Sequence, residues 1–279
     1  MDFFLVFLAF LWIFIASLQD LKKREVWNWL NFSLIAIAIT YRAVFSILNN
    51  DIGFLLYGIL GLGLFIVLGY VFYYSRVFAG GDAKLLFALG AIIPISGSVI
   101  SNLLLMLGFI LLLLFSGSLY GLAYSFVLVL INRKNFSLEF RKQFLVHRKL
   151  IYSFSIIAAL LLLVPVVFED YFLIVFSLIV FLLPLLFIYG KSIEQSCMIK
   201  EVFPRELTEG DWLYHQVKIG KKIIRPDWEG LTSKDLKILR KFRGKIKIKI
   251  GIPFVPAFFI AFLAFVFFYR SIMGFGGLF

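Results

Sequence analysis

The chain contains very few of the residues that bind metals or form disulfides. It has one cysteine, Cys197, and two histidines, His147 and His215, among 279 residues. A single cysteine cannot form an intrachain disulfide, and no Cys-x-x-Cys pair is present to supply a thiolate zinc site. Both histidines lie in basic stretches without a carboxylate or a second histidine at ligand spacing. We therefore expect no metal and no other cofactor.

Charged residues are scarce as well. They make up 16% of the chain, whereas 62% is hydrophobic and 35 residues are Phe. Soluble domains carry about 25% charged residues, so this composition indicates a membrane protein. The start Met-Asp-Phe lacks a basic region, and no small-residue cleavage site follows the first apolar run. We therefore expect that run to be retained as a membrane span.

Eight apolar segments are candidates for membrane spans, which need about 20 residues to cross about 30 Å of hydrocarbon. The prediction is an all-α polytopic membrane protein with about eight transmembrane helices. The segments are residues 3–18, 27–48, 52–74, 80–94, 103–131, 151–168, 171–189 and 252–270.

The basic residues fall on alternate loops. The loops at Asp51, Ser96 and Glu169 carry no cluster of Lys or Arg, and the positive-inside rule then places the basic loops in the cytoplasm and both termini outside the cell membrane. Arg42 and Arg270 fit least well, since both lie toward the outer ends of their spans. The net charge of +12 is thereby explained by membrane orientation, so we expect lipids among the partners and no nucleic acid.

One segment, residues 191–250, predicts a small cytoplasmic α+β module. Residues 245–250 alternate Lys and Ile, which is the pattern of a half-buried strand. Thr232 precedes a short helical pattern and has the hydroxyl that favours an N-cap. The predicted division is a membrane domain over 1–190, the module over 191–250, and a last transmembrane helix with its tail over 251–279.

Two aspartates lie where predicted spans meet the basic face. Asp20 follows the first span, and Asp82 begins the fourth within the run Gly-Gly-Asp-Ala-Lys-Leu-Leu at residues 80–86. A carboxylate in a span costs about 2.5–3.5 kcal/mol on insertion scales, so two on one side indicate a shared, hydrated site. A helix over 80–94 covers only about 20 Å of the layer, which places Asp82 below the cytoplasmic surface.

Two facing carboxylates can perform acid–base chemistry. They do not both ionise easily, so they share one proton. The ionised member can take a proton from water while the neutral member protonates the developing tetrahedral oxygen, which is peptide hydrolysis by general acid–base catalysis. Gly80 and Gly81 let a substrate backbone approach closely, because they have no side chain.

Each of these residues also has a structural interpretation. Asp82 can cap its helix, Asp20 can be a solvated loop charge, and Lys84 can extend to the membrane interface. A transporter or channel that relays protons or cations through the carboxylates is a second functional hypothesis. A catalytically inactive membrane scaffold is a third. The matched depth of the two aspartates favours a catalytic site.

The segments around both aspartates resemble the aspartic peptidases of type IV prepilins and archaeal preflagellins. Residues 79–86 are similar to the family's Gly-x-Gly-Asp-x-Lys-Leu segment, with Ala79 in place of the first glycine. Residues 20–30 are similar to its Asp-x5-Ile/Val-Pro-Asn/Asp segment, with Trp27 where proline is usual. The resemblance implies a set of site residues: catalytic Asp20 and Asp82, with Gly80, Gly81 and Lys84 in support.

The same resemblance implies cleavage of a short, basic leader from prepilin- or preflagellin-like precursors, just before their hydrophobic helix. The chain is more similar to archaeal members than to bacterial ones, which usually carry a tetracysteine zinc element. Residues 251–257 are similar to the proline-rich start of the family's final helix. They are also faintly similar to the Pro-Ala-Leu segment of presenilin-like proteases, so an enzyme that cuts other membrane helices is the alternative within this class.

Overall fold

The computed structural model describes residues 2–94, 97–168, 172–220, 222–242 and 244–276. The chain forms two compact units, one of Met1–Ala123 with Ile252–Phe279 and the other of Tyr124–Gly251. The elements in chain order are α1 (Phe3–Lys23), α2 (Asn28–Asn49), α3 (Ile52–Tyr74), α4 (Gly80–Gly90), α5 (Val99–Ile131), α6 (Arg133–Val146), α7 (Arg148–Phe168), α8 (Phe172–Cys197), β1 (Ile199–Val202), β2 (Trp212–Leu213), β3 (Val217–Ile219), β4 (Lys222–Ile224), α9 (Ser233–Leu239), β5 (Ile246–Lys249) and α10 (Val255–Gly276).

The helices confirm a mostly helical, multi-pass membrane protein but not the number of spans. Within the described part of the chain, five helices are long and apolar enough to cross a membrane: α1, α2, α3, α5 and α8. A sixth is counted if α6 and α7, which meet at a bend of 70°, form one broken span. The prediction of eight spans is not confirmed, because α4 has 11 residues and the apolar part of α10 covers only Val255–Tyr269. The predicted outer loops at Ser96 and Glu169 lie outside the described residues.

The first unit packs its helices around an apolar core. Side chains from α1, α2 and α4, among them Ile13, Leu34 and Leu86, are fully or almost fully buried against Phe258 and Phe262 of α10. The start of α1 is fixed by Asp2, whose Oδ1 accepts the Phe4 N–H at 2.9 Å. Burial of these apolar side chains brings the short helix α4 into the middle of the unit.

Helices α3 and α4 approach one another through glycine. A Cβ at Gly61 would overlap the Gly90 carbonyl oxygen, and a Cβ at Gly90 would lie 2.7 Å from Cβ of Phe65. Further along the same pair of helices, a Cβ at Gly69 would overlap the Phe87 ring. Small residues of this kind allow close backbone contact between membrane helices. The position of α4 is therefore fixed closely against α3.

The second unit contains the small sheet module. Strand β5 pairs antiparallel with β1 and β2, and β3 and β4 form a separate hairpin around Gly220, whose φ is 60°. The strand predicted from alternation is present, with Ile246 and Ile248 buried and Lys247 exposed. The predicted helix cap is also present, since the Thr232 hydroxyl accepts the Asp235 N–H. Strand β1 is an element that the sequence did not indicate.

Candidate functional site

Asp20 is buried in the last turn of α1. Only 6% of its surface is exposed, although the residues that follow it, from Leu21 to Glu25, are all exposed. Its Oδ2 accepts the backbone N–H of Val255, the first residue of α10, at 2.9 Å. The interpretation of Asp20 as a solvated loop charge is therefore wrong, because the carboxylate points inward to the N-terminus of another helix.

Asp82 is the third residue of α4 and is 7% exposed. Its Oδ2 accepts the backbone N–H of Ala79 at 3.1 Å, which satisfies one of the free donors at the start of the helix. Asp82 thus binds a free N–H at the start of α4, as the capping interpretation expected. It does so as the third residue of the helix, whereas the N-cap position itself is occupied by Ala79. Capping alone does not require such burial, because Asp2 caps the start of α1 through an exposed hydrogen bond of the same kind.

The structure brings the two predicted carboxylates together. Asp20 and Asp82 are close enough to interact electrostatically within the first unit, although 62 positions separate them in the chain. Each accepts a backbone N–H at a helix N-terminus, Asp20 from α10 and Asp82 from the start of α4. Helix N-termini favour negative charge, so both ends are suited to holding carboxylates out of bulk water.

Gly81, directly before Asp82, lies against the first motif. A Cβ at Gly81 would be 3.5 Å from Cβ of Val26, an ordinary contact, and a Cβ at Gly80 would be 3.8 Å from the Tyr73 ring of α3. The two motifs quoted from the sequence, around residues 20–30 and 79–86, are thus packed together in space. A small side chain would fit at both glycines, so close packing within the protein does not explain them.

Lys84 links α4 to the start of α2. Its Nζ donates a hydrogen bond of 2.7 Å to Oδ1 of Asn28. Asn28 stands at the Asn/Asp position of the first motif, so this bond joins the two motifs directly. The interpretation of Lys84 as a residue that only extends to the interface is incomplete, since its ammonium group has a specific partner.

Two further polar groups near the pair were not predicted. Asn31 is fully buried, its amide nitrogen donates to the Gly81 carbonyl at 3.4 Å, and its Oδ1 has no hydrogen-bond partner among the residues that the structure describes. Ser17, one turn before Asp20, donates to the Ile13 carbonyl at 2.8 Å. A buried Asn within an apolar span is a detectable signal in the sequence, because such residues are costly in a membrane.

No metal centre is found in the part of the chain that the structure describes, where no three His, Cys, Asp or Glu side chains cluster. The site consists instead of two carboxylates, backbone amides and small residues. Its chemical capability is therefore proton transfer by the carboxylates to and from a bound water or carbonyl group.

The fold and the aspartate pair define a polytopic helical membrane protein with a buried carboxylate dyad. Residues 7–131, which include both aspartates, match the Type IV leader peptidase family. The resemblance drawn from the two motifs is thus confirmed over this part of the chain.

Individual relatives agree with the family match. The chain is 33% identical over 82 residues to the preflagellin peptidase of Methanocaldococcus jannaschii, and equally to that of Methanococcus maripaludis; each alignment covers 29% of this chain and 35% of the relative. It is 32% identical over 97 residues to the prepilin peptidase EppA of Methanothermobacter thermautotrophicus, covering 34% of this chain and 25% of the relative. The chain thus spans about a third or less of the length of these relatives. No solved structure matches it significantly.

Proposed function

We propose that this protein is an intramembrane aspartic endopeptidase that removes short basic leaders from prepilin- or preflagellin-like precursors. The observation that carries this proposal is the burial of both Asp20 and Asp82 in one compact unit, with the two motifs that contain them in contact, within the segment that matches the peptidase family. A dyad of this kind needs no side-chain nucleophile and no metal to hydrolyse a peptide bond.

The two carboxylates share one proton, so one acts as base while the other acts as acid. Each accepts one backbone N–H, from Val255 for Asp20 and from Ala79 for Asp82, which stabilises whichever of them is ionised. Written with Asp20 as the base, Asp20 takes a proton from the attacking water while Asp82 gives its proton to the substrate carbonyl oxygen, and a tetrahedral gem-diol forms. The C–N bond then breaks as a proton passes from Asp20 to the leaving amine and another returns from the gem-diol to Asp82. The dyad ends in its starting protonation state.

The substrate follows from the position of the pair. A precursor whose hydrophobic helix lies in the bilayer presents the cytoplasmic end of that helix at the depth of Asp20 and Asp82. The active site then faces the cytoplasm of the cell membrane, with both termini outside, as the basic loops predict. Glu25, which is exposed within the first motif, and anionic lipids offset the repulsion between a basic leader and this basic face.

The test is cleavage of an archaeal prepilin or preflagellin by the purified protein in detergent or membranes, with mass spectrometry of the products. We expect a cut just ahead of the hydrophobic helix, and a loss of at least about 100-fold in rate for both Asp20→Asn and Asp82→Asn, because proton transfer contributes about 10²–10⁴-fold for each group. Asp51→Asn is the matched control, since Asp51 caps α3 away from the pair and Asn caps equally well.

Other outcomes would redirect the proposal. A cut in the middle of the substrate helix would indicate the presenilin-like alternative. Full activity in either aspartate variant would exclude the dyad. Ion flux in reconstituted vesicles that disappears in the same variants, without cleavage by the unmodified protein, would support the transporter hypothesis instead.

A further inference from the structure

Arg42 is a fully buried arginine within the apolar helix α2. A charged side chain in a membrane span costs about 2.5–3.5 kcal/mol on insertion scales, so its retention needs a compensating interaction. Among the described residues it is the largest side chain with essentially no exposed surface. Its position toward the outer end of the span excludes it from the basic cytoplasmic face.

The partners of Arg42 are backbone carbonyl groups just beyond the end of α4. Nε donates to the Ala91 oxygen at 2.7 Å, and Nη2 donates to the oxygens of Ile92, at 3.0 Å, and Pro94. Nη1 donates to the Phe54 oxygen of α3 at 2.6 Å, and the guanidinium lies 4.5 Å from the Phe54 ring centroid. One side chain thus gathers four carbonyl groups from two segments.

These carbonyls need such a partner because of where the helix ends. Ala91, Ile92 and Pro94 follow the last helical residue, Gly90, so their carbonyls are outside the hydrogen-bond ladder of α4, and inside a membrane no bulk water would pair with them. A cation at a helix C-terminus also interacts favourably with the helix dipole. Helix α4 is only 11 residues, about 16 Å, so its C-terminal end lies within the apolar core of the unit.

Helix α2 also contacts α4 at its other end. Asn28 accepts from Lys84, and Asn31 donates to the Gly81 carbonyl. Asn28 and Arg42 are 14 residues apart, a rise of about 21 Å, which exceeds the length of α4. The two helices therefore run side by side, and α2 holds α4 at both ends.

We propose that Arg42 is a positioning residue that fixes α4 along its axis and thereby sets the place of Asp82 relative to Asp20. Its effect on catalysis rests on the proposed peptidase function, whereas its effect on the position of α4 does not. The change that removes the guanidinium with the least loss of volume is Arg42→Met. It leaves the four carbonyls without their donor, so α4 shifts to find other partners.

A disulfide measures the position of α4 without any activity. The Cβ positions of Val26 and Gly81 are 3.5 Å apart, within the range of about 3.5–4.5 Å for a disulfide. In a Cys197→Ser background, we expect Val26→Cys/Gly81→Cys to cross-link rapidly under mild oxidation. When Arg42→Met is added, we expect the rate of disulfide formation in this pair to fall at least about 10-fold, because the two Cβ atoms move out of this range.

A second cysteine pair controls for the oxidation itself. Lys218 and Ile223 are cross-strand partners in the β3–β4 hairpin, so Lys218→Cys/Ile223→Cys also cross-links, and it does so equally with and without the Arg42→Met change. Equal cross-linking of the Val26/Gly81 pair in both backgrounds would overturn the proposal. The hairpin belongs to the second unit, so thermal unfolding in detergent checks that the Arg42→Met protein is folded; if it is not, Arg42→Lys, which keeps a donor, is measured in its place.

Measurements of kcat and KM for precursor cleavage distinguish a positioning role of Arg42 from a general loss of stability. We expect Arg42→Met to lower kcat at least about 10-fold with KM changed less than about 3-fold, because a misplaced acid affects the transition state and not leader binding. Arg42→Lys restores part of kcat, since an ammonium group can still donate to the carbonyls. Gly58→Ala is expected to reproduce the loss with Arg42 present, because a Cβ at Gly58 would overlap the Arg42 side chain.

The cross-linking assay and the cleavage kinetics can contradict the two proposals independently. If the unmodified protein cleaves no precursor, the peptidase proposal fails while the cross-linking result still tests Arg42. If the protein cleaves and Arg42→Met retains its kcat, the positioning role is excluded and the peptidase remains. Asn49→Ala is the matched control on α2, since the exposed Asn49 amide donates to Phe45 of its own helix, and it leaves both readouts unchanged.

Discussion

The helical first unit and the sheet module of the second unit use polar side chains in opposite ways. In the first unit Asp20, Asp82 and Arg42 are buried and bind backbone groups, which belong to other segments for Asp20 and Arg42 and to the start of its own helix for Asp82. In the module a typical pair, Lys247 and Glu201, is about half exposed with 3.7 Å between Nζ and Oε1. Buried polar groups are costly unless fully paired, so those in the first unit indicate where function resides.

The apolar cores of the two regions also differ. The module has an ordinary core in which alternate residues of β5 are buried, as in a soluble sheet. In the first unit, by contrast, the backbones of α3 and α4 are in direct contact at Gly61 and Gly90, with no side chains between them. A residue change is thus expected to have its largest effect in the first unit, and three changes test this expectation in order of decreasing effect.

Gly90→Ala is expected to have the largest effect on the first unit. The added methyl group overlaps the Gly61 backbone and the Phe65 side chain, which forces α4 away from α3. Overpacking of this kind costs about 1–3 kcal/mol and displaces Asp82 on the same helix. We expect a lower thermal midpoint in detergent and a cleavage rate reduced at least about 10-fold. Gly63→Ala is the control, because a Cβ there has no heavy atom within 4 Å.

The bond between Lys84 and Asn28 predicts an intermediate effect. Lys84→Met and Asn28→Ala each remove the 2.7 Å contact between the two motifs. A hydrogen bond to a charged group contributes about 1.5–3 kcal/mol, less when it is solvent-accessible as here. We expect a several-fold loss of cleavage rate in each variant and no further loss in the double variant. Fully additive losses would mean that the two residues act independently.

Thr232→Ala in the module is expected to have the smallest effect on activity. It removes the N-cap of α9 and costs about 1 kcal/mol of local stability. Hydrogen exchange in residues 232–239 should increase, while the cleavage rate stays within about 2-fold. Thr232→Ser retains the hydroxyl and should leave exchange unchanged. A large loss of cleavage would assign the module a direct part in the reaction.

The sequence predicted the parts of the site that depend on local patterns. Asp20 and Asp82 were recognised from their position at span ends, and the alternation at residues 245–250 predicted β5. The amide of Val255 that binds Asp20 is 235 positions away, and no local pattern reports such a contact. Strand β1 was missed because its burial does not alternate.

Arg42 shows how a misfit in the sequence can be informative. The positive-inside rule placed it on the wrong side, and the structure explains this by its bonds to the carbonyls beyond α4. The count of spans was less predictable, because hydropathy does not reveal that α4 ends after 11 residues. Both facts have one cause, since the backbone that follows a helix ending within the apolar core requires a buried donor for its carbonyls.

The glycine contact between α3 and α4 also determines which parts can move. Because backbone lies against backbone at Gly61 and Gly90, any displacement of α4 along α3 breaks these contacts, and with Arg42 in place we expect the two helices to move together. Asp20 belongs to a different pair of helices, since its carboxylate is bonded to the start of α10. We therefore expect any opening or closing of the dyad during turnover to be a movement of α1 with α10 against a stationary Asp82.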